Sequence, residues 1–400
     1  MSPATLSAAH RIESDAEAIA VAERFAAEIA PGAGERDRSR AVPIAELEQL
    51  GASGLLALSV PPDYGGPGLG ATTIVEVFRI ISAADPSIGQ VPQNHYEQVD
   101  AVRRYGSAVQ RQLFLSEIAA GARFGNAQSE RGGKDLMDMR TELRAGPDGE
   151  LRLNGVKYYS TGALTAQWIP VLAKTGDEAM AWVYLPREVE GLEVGQDWTA
   201  FGQRATISGT TSMTEVRVEP EWVLPLPERE RAETFAAFAQ VLHAAVDVGI
   251  ARAALKDAAR FLTTRSRPWF EAGVERPAEE PYVVVQFGRL RTQVRAAEAL
   301  LADAARLLDA AAADPSPEQI TAARLGVAEA RAFGAETALA VSSDALDSLG
   351  SSAADEGHGL DRHWRNARTH TLHDPTRWKH VHLGRYVLDG VVPPPDSILF

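Results

Sequence analysis

After about Glu230 the sequence turns helical and stays so, and this leaves few folds open. One apolar-patterned segment runs from Ala236 to Thr264 and another from Val284 to Ala312. A third opens at Ser316-Pro317-Glu318-Gln319, where a serine N-cap, a proline at the first helical position and a glutamine at N3 mark a helix start. Its later turns carry Ala338, Val341, Ala345 and Leu349 on one stripe, and a fourth helix is expected from Asp374-Pro375 to Leu388. A helix of 28 or so residues is about 42 Å long at 1.5 Å per residue. Such rods can bury their apolar stripes only against each other, so a four-helix bundle is expected over residues 231–400.

The middle of the chain has a different period. Between Phe124 and Leu226 lie short β-type runs such as Ile169-Pro170-Val171-Leu172-Ala173 and Ala181-Trp182-Val183-Tyr184-Leu185. Turn signals at Pro147-Asp148-Gly149 and Asn154-Gly155 are expected to separate strands. With no long helix between them, residues 125–230 should form an antiparallel sheet or a β-barrel-like domain. Residues 1–124 read as a helical domain. Ser14 caps a helix through Ala18, Ala22, Phe25 and Ile29 that Pro31 ends, and further helices are expected at Ile44–Gly51, Ile74–Ala84 and Ala108–Ala120. The fold class is therefore mainly α with a central β-domain.

Composition removes several chemistries. The chain has no cysteine, which excludes disulfides, thiolate metal sites, iron–sulfur clusters and cysteine nucleophiles. A net charge of −14 speaks against nucleic acid as a partner. The first 30 residues lack the basic start and apolar core of a signal peptide. The alanine-rich run Ala244–Ala259 is broken by Asp247, Arg252, Lys256 and Asp257, short of the roughly 18 uncharged residues of a membrane span. A cytoplasmic enzyme without membrane contact is expected.

Six of the nine histidines (His358, His363, His370, His373, His380 and His382) fall within 25 residues. His370-x-x-His373-Asp374 can be read as metal ligands, as helix-packing residues or as proton-transfer groups, since imidazole titrates near neutral pH. No third ligand is evident at suitable spacing, and no metal is expected. No G-x-G-x-x-G or Walker-type loop follows a strand, so a nucleotide cofactor would have to be held by other groups, arginine forks above all. Arg265, Arg267, Arg365 and Arg368 lie near helix ends, where they are either phosphate partners or ordinary solvated side chains. Lys157-Tyr158-Tyr159-Ser160-Thr161-Gly162 offers aromatic faces and hydroxyls to a planar ring, or is simply a strand end.

Taken in order, several segments resemble the acyl-CoA dehydrogenase superfamily. Val60-Pro61-Pro62-Asp63-Tyr64-Gly65-Gly66-Pro67-Gly68 is similar to a loop of its N-terminal domain. Ser129-Glu130-Arg131-Gly132-Gly133-Lys134-Asp135, the Leu153–Gly162 segment, Phe201-Gly202-Gln203-Arg204 and Glu215-Val216-Arg217-Val218 resemble stations of its middle domain. Arg362-His363-Trp364-Arg365-Asn366-Ala367-Arg368 resembles its bundle signature. Where many of those dehydrogenases place the glutamate that removes the substrate α-proton, this chain reads His373-Asp374-Pro375-Thr376. Asp374 is one methylene shorter, and before a proline it reads as an N-cap.

Arg368-Thr369-His370-Thr371-Leu372-His373-Asp374-Pro375, Phe124–Gly133 and Arg265-Ser266-Arg267-Pro268-Trp269 are similar instead to a flavin-dependent monooxygenase branch. That branch includes dibenzothiophene monooxygenase and SfnB-type sulfur-acquisition oxidoreductases. The resemblance implies a two-component monooxygenase that takes reduced FMN from a separate NAD(P)H-dependent reductase and uses O2 on a small substrate, by analogy an organosulfur compound. It assigns Asn126, Ser129, Ser160 and Thr161 to flavin contacts, Tyr159 to the flank of the ring, and Arg267, Arg365 and Arg368 to phosphate or ring edge. Arg267 would act across a subunit boundary of a homotetramer. His370 and His373 become the proton-handling residues, helped by His95 and Tyr96. The rival readings are an FAD-dependent acyl-CoA dehydrogenase with Asp374 as base, and a non-catalytic flavin-binding member of the fold.

Overall fold

The computed structural model describes residues 9–134, 138–146, 149–176, 179–226 and 234–394. Asp135, the Pro147-Asp148 turn and the expected domain boundary at 230–231 lie outside them.

Seven helices come first: α1 (Asp15–Ile29), α2 (Ala33–Ser39), α3 (Ile44–Ala52), α4 (Ala71–Ala84), α5 (Pro86–Gln90), α6 (Pro92–Tyr105) and α7 (Ala108–Ala119). Ser14 caps α1 by accepting from the Glu17 amide. α5 and α6 lie between the expected helices, and Pro86 and Pro92 stand inside this stretch. Each sits at a helix start, where its missing N–H costs nothing, and the Asp85 carboxylate accepts from the amides of Ser87 and Ile88.

The strands are β1 (Glu142–Ala145), β2 (Leu151–Lys157), β3 (Trp168–Lys174), β4 (Met180–Pro186), β5 (Leu192–Val194), β6 (Thr211–Val218) and β7 (Val223–Pro225). They form one open sheet in the order β5-β6-β2-β1-β3-β4-β7, with β1 and β3 parallel and the other neighbours antiparallel. The sheet has two free ends, so the barrel-like expectation is corrected to an open sheet. Asn154-Gly155 is not a turn between strands either. It lies inside β2 as a bulge against β6, where Gly155 takes φ +152° and a Cβ would run into Thr141. Asn154 locks the bulge by donating to Glu215 Oε1 (2.6 Å) and accepting from the Glu215 amide (2.8 Å).

The bundle follows as α8 (Phe235–Arg265), α9 (Pro281–Ala313), α10 (Pro317–Asp347), α11 (Asp361–His370) and α12 (Arg377–Asp389). The expected last helix is thus preceded by a separate α11, and it starts after Asp374 rather than on it. Ser316 stands at the N-cap of α10 with Pro317 at N1, but its side chain makes no capping bond. By length and composition α8 could cross a bilayer, yet 83% of its apolar window is buried within the protein. It is the axis of the fold, touching α4, α6, α9, α10 and α11. One hydrophobic core runs through α1, α4, α8, α9 and α10, so the N-terminal helices and the bundle share their interior. A second cluster, with Phe114, Phe124, Trp168, Trp182 and Tyr184, seals α6 and α7 against the sheet.

The joint that brings bundle and sheet together is made by two of the sequence stations. Arg365 on α11 donates to Asp37 Oδ2 (2.6 Å), Asp361 Oδ2 (2.7 Å) and the Phe201 carbonyl (3.0 Å), and Asn366 Oδ1 accepts from the Gln203 amide (2.7 Å). A Cβ on Gly202 would lie 2.0 Å from the Arg365 carbonyl oxygen. Gly202→Ala is therefore expected to push α11 off the sheet domain at a cost of about 1–3 kcal/mol. The check is a lower urea midpoint than wild type; an unchanged midpoint would contradict this packing.

Candidate active site

A cavity of about 820 Å³ opens where α6, the sheet domain, α8 and the segment after α11 converge. Gln93, Asn94 and Glu97 present one face of α6 to it; Ala236, Ala239, Gln240 and His243 present a stripe of α8. Asn126, Ser129, Arg131, Tyr159, Thr161 and Trp198 form the sheet side, and His370, His373 and Asp374 close the far end. Its wall is partly apolar, with Leu172, Met180, Trp182 and Phe235, and partly a carboxamide network in which Gln128 donates to Asn94 Oδ1 (3.0 Å). Size and mixed lining suit an organic ligand larger than a metabolite fragment.

On the sheet side, the residues after β2 are held in an unusual backbone. Tyr159 has φ +58°, a left-handed conformation that costs a non-glycine residue about 1–3 kcal/mol, and its ring stays half exposed over the cavity, edge-on to Trp198. Arg131 lies over both tyrosine rings, 4.5 Å from Tyr158 and 5.0 Å from Tyr159. The buried Lys157 ammonium ion-pairs with Glu130 at 2.8 Å, which anchors the Ser129 segment to the end of β2. Burial raises the Glu130 carboxyl, but Lys157 and the Thr141 and Arg140 donors outweigh it and hold it at about 2. Thr161 Oγ1 shares a hydrogen bond with Ser208 (2.7 Å). Ser160 Oγ and Asn126 Oδ1 are buried and make no hydrogen bond among the described residues. Two polar atoms left open beside a cavity, next to an exposed aromatic face, are the arrangement a planar heteroaromatic ring with a polar edge would complete.

The bundle side is built on one arginine. Arg331 on α10 is wholly buried and pairs with Asp247 on α8 and with Asp374 (2.8 Å). Lys379, also buried, lies 3.1 Å from the other Asp374 oxygen. Burial alone would raise the Asp374 carboxyl; Arg331, His373 and Lys379 more than reverse this and hold it far below the usual carboxylate range. Lys379 is pushed down to about 8 by burial, against the pull of Asp374. The second oxygen of Asp247 takes His370 Nδ1 at 2.6 Å, and His370 Nε2 meets His243 Nδ1 at 3.0 Å. His373 stacks on His243 with ring centroids 4.2 Å apart.

The structure thus gathers Asn126, Ser129, Tyr159, Thr161, His370 and His373 around one cavity, while Ser160, between two of them in sequence, is fully buried and off its lining. Other expected site residues are elsewhere. Both nitrogens of His95 are taken, by the Leu56 carbonyl (2.8 Å) and the Phe124 amide (3.1 Å), and burial pushes its pKa down to about 4. Tyr96 donates to the Leu55 carbonyl, and burial pushes its phenol well above the ordinary value. Neither residue lines the cavity: they tie α6 to the Leu55–Leu56 loop, while the neighbouring Gln93, Asn94 and Glu97 take the wall. Arg365 gives four of its five N–H donors to Asp37, Asp361 and Phe201 and does not line the cavity. Arg267 is exposed on the α8–α9 connection, and the Arg368 side chain on α11 makes no hydrogen bond or ion pair among the described residues, its carbonyl accepting from Thr371. Asp374 does not cap a helix; its carboxylate is used by Arg331 and Lys379. Among the described residues no group of three or more His, Cys, Asp or Glu side chains is placed to hold a metal. The sequence motifs do not single out His243 and Asp247, although a histidine and an aspartate at i, i+4 in the largely apolar first half of α8 are a pair of costly buried polar groups.

Three family models match in chain order: acyl-CoA dehydrogenase N-terminal domain over residues 13–122, middle domain over 126–216 and C-terminal domain over 241–378. The chain belongs to the acyl-CoA dehydrogenase family. This family member is 34% identical over 402 residues to dibenzothiophene monooxygenase of Rhodococcus erythropolis, covering 96% of each chain. It is 31% identical to the probable FMNH2-dependent monooxygenase SfnC of Pseudomonas putida, over 95% of this chain and 96% of that one. Among solved structures it resembles FMN-bound TdsC from Paenibacillus sp. A11-2, with a TM-score of 0.90, 30% identity, and 96% of this chain and 100% of that chain covered.

The ion cluster makes this family member's stability pH-dependent. Because the folded Asp374 carboxyl lies below its unfolded value of about 3.9, its contribution is complete above that pH and fades as pH falls further. In urea titrations, Asp374→Asn should lower the midpoint at pH 7 and flatten the loss seen on acidifying wild type below about pH 4. Arg331→Met leaves the buried Asp247 carboxylate without its cation and Asp374 with Lys379 alone, and should cost about 3–5 kcal/mol at pH 7; a near-wild-type midpoint for it would refute the role given to this arginine.

Proposed function

We propose that this chain is a flavin-dependent monooxygenase that uses reduced FMN, delivered by a separate NAD(P)H-dependent reductase, and O2 to oxygenate a small organosulfur compound. The observation that carries this reading is the fate of Asp374. A dehydrogenase needs a free carboxylate there to take an α-proton. Here the group is clamped between Arg331 and Lys379 and held too acidic to act as a base, while His370 and His373 occupy the adjoining wall. The relatives named above, two monooxygenases and an FMN-bound structure, match over nearly the full chain and point the same way.

The residues present fit a flavin. Asn126, Ser129, Ser160 and Thr161 supply hydroxyls and an amide for its polar edge, two of them with unused buried atoms, and Tyr159 offers an exposed face beside the ring. Arg368 is the phosphate partner from the same chain, and Arg267 reaches the site of a neighbouring subunit. When bound, reduced FMN supplies the two electrons and two hydrogens that turn one atom of O2 into water while the other passes to sulfur. The chain's part is to exclude bulk water, orient the substrate along the α6–α8 wall, and hold or return a proton at His370 and His373. A homotetramer in the cytoplasm is the working state. The exposed Trp269, Phe270 and Tyr282 near Arg267, and Val387 and Leu388 on α12, are apolar surface that subunit contacts would cover.

Protein supplied with FMN, NADH and an unrelated flavin reductase under oxygen-18 gas should add labelled oxygen to organic sulfides, sulfoxides or sulfinates, read by mass spectrometry. Absence of labelled product across that set, with anaerobic bleaching of bound flavin by an acyl-CoA thioester, would restore the dehydrogenase reading.

A further inference from the structure

We propose that His243 is the cavity-facing end of a three-residue proton relay, Asp247–His370–His243, and is itself a proton-transferring residue of the reaction. The inference rests on the monooxygenase reading for its reaction, and on hydrogen-bond geometry for its chemistry.

The direction of each bond follows from what each group can do. Asp247 gives one oxygen to the Arg331 guanidinium, and its other oxygen lies 2.6 Å from His370 Nδ1. A carboxylate only accepts, so His370 carries its proton on Nδ1. The Nε2 of neutral His370 is then an acceptor, and His243 Nδ1, 3.0 Å away, must donate to it. That leaves His243 Nε2 unprotonated, on a residue that lines the cavity, and it makes no hydrogen bond among the described residues. Both rings are therefore fixed in the Nδ1–H tautomer by a carboxylate that is not itself on the cavity wall. Burial, joined by the charges of His373, His370 and Arg331, keeps His243 well below the usual histidine range, and burial outweighs Asp247 to keep His370 lowered too.

The charged and titratable groups around His243 are Asp247 on α8, Arg331 on α10, His370 on α11, and His373 and Asp374 just after it. Lys379 on α12 acts through Asp374. Arg331 and Lys379 are balanced by Asp247 and Asp374, so one more proton in the cluster is a single added charge. When a cavity donor gives a proton to His243 Nε2, the Nδ1 proton of His243 passes to His370 Nε2. The donor's bond and the His243 Nδ1–H bond break, while His243 Nε2–H and His370 Nε2–H form. The charge comes to rest on His370, beside Asp247, and reversal of both transfers returns the proton for water formation. The relay explains why a buried aspartate and histidine stand in the largely apolar first half of α8, where either alone would be costly.

The discriminating variant is His243→Asn. Its amide can still donate to His370 Nε2, so a structural hydrogen bond survives, but it cannot accept and pass on a proton. With the wild type oxygenating sulfur compounds as above, the variant should bind FMN within twofold of wild type by fluorescence titration, yet form product about 10²-fold more slowly. Turnover within twofold of wild type would overturn the relay. An independent readout needs neither flavin nor turnover: solid-state nitrogen-15 NMR of histidine-labelled wild type should show His370 and His243 as Nδ1–H tautomers, the His243 signals being those absent in His243→Asn or, if that variant does not fold, in His243→Phe. An Nε2–H tautomer for His243 would overturn it as well. A wild type with the expected tautomers but no oxygenation would remove the monooxygenase reading and leave the hydrogen-bond chain standing.

Discussion

The bundle side of the active site hangs on one buried guanidinium. Arg331 is fully enclosed and joins Asp247 on α8 to Asp374 beyond α11. Charges taken out of water lose several kcal/mol of hydration each, so this cluster persists only because every charge has a counter-charge beside it. Its consequence is positional. Asp247 is held with one oxygen turned to His370, and Asp374, the one carboxylate placed where a base is expected, is withdrawn from chemistry. A hydrophobic replacement could satisfy the packing, but it would fix neither a tautomer nor the turn that carries His373.

A second constraint sets the other wall. The Phe201–Arg204 loop and α11 interlock through Arg365, Asn366 and the missing side chain of Gly202. This contact holds the end of α11 against the sheet domain, so that groups from opposite ends of the sequence share one cavity. The sheet contributes unused polar atoms at Asn126 and Ser160 and a strained, exposed Tyr159. The helices contribute carboxamides from α6 and imidazoles from α8 and α11. One wall suits a planar cofactor and the facing walls suit a substrate and a proton, which is the division of labour a flavin monooxygenase requires.

Much of this was legible along the chain because local rules and tertiary structure agree. The long helices are written in alanine-rich stripes, α9 and α10 with proline at their starts, and β3 and β4 in apolar runs. Legibility failed where one residue type serves two geometries. Proline at 86 and 92 starts helices as readily as it ends them. Asn154-Gly155 meets a need for positive φ in a bulge as well as in a hairpin. Asp374 before Pro375 has the form of an N-cap, yet its carboxylate is drawn away by two cations that are 43 residues upstream and five residues downstream in sequence.

By itself the sequence determined the helical, β, helical order, the absence of thiol chemistry and the family to which the motifs belong, because periodicity, composition and ordered motifs are properties of the chain. It also concentrated attention on His370 and His373. Only the tertiary structure decided that His95 and Tyr96 spend their hydrogen bonds away from the cavity, that Arg365 is a clamp, and that His243 lines the cavity with Asp247 behind His370. The reason is that hydrogen-bond capacity is spent in three dimensions. Whether an imidazole, a guanidinium or a carboxylate remains available depends on partners that the fold brings from other helices, and no local pattern records them.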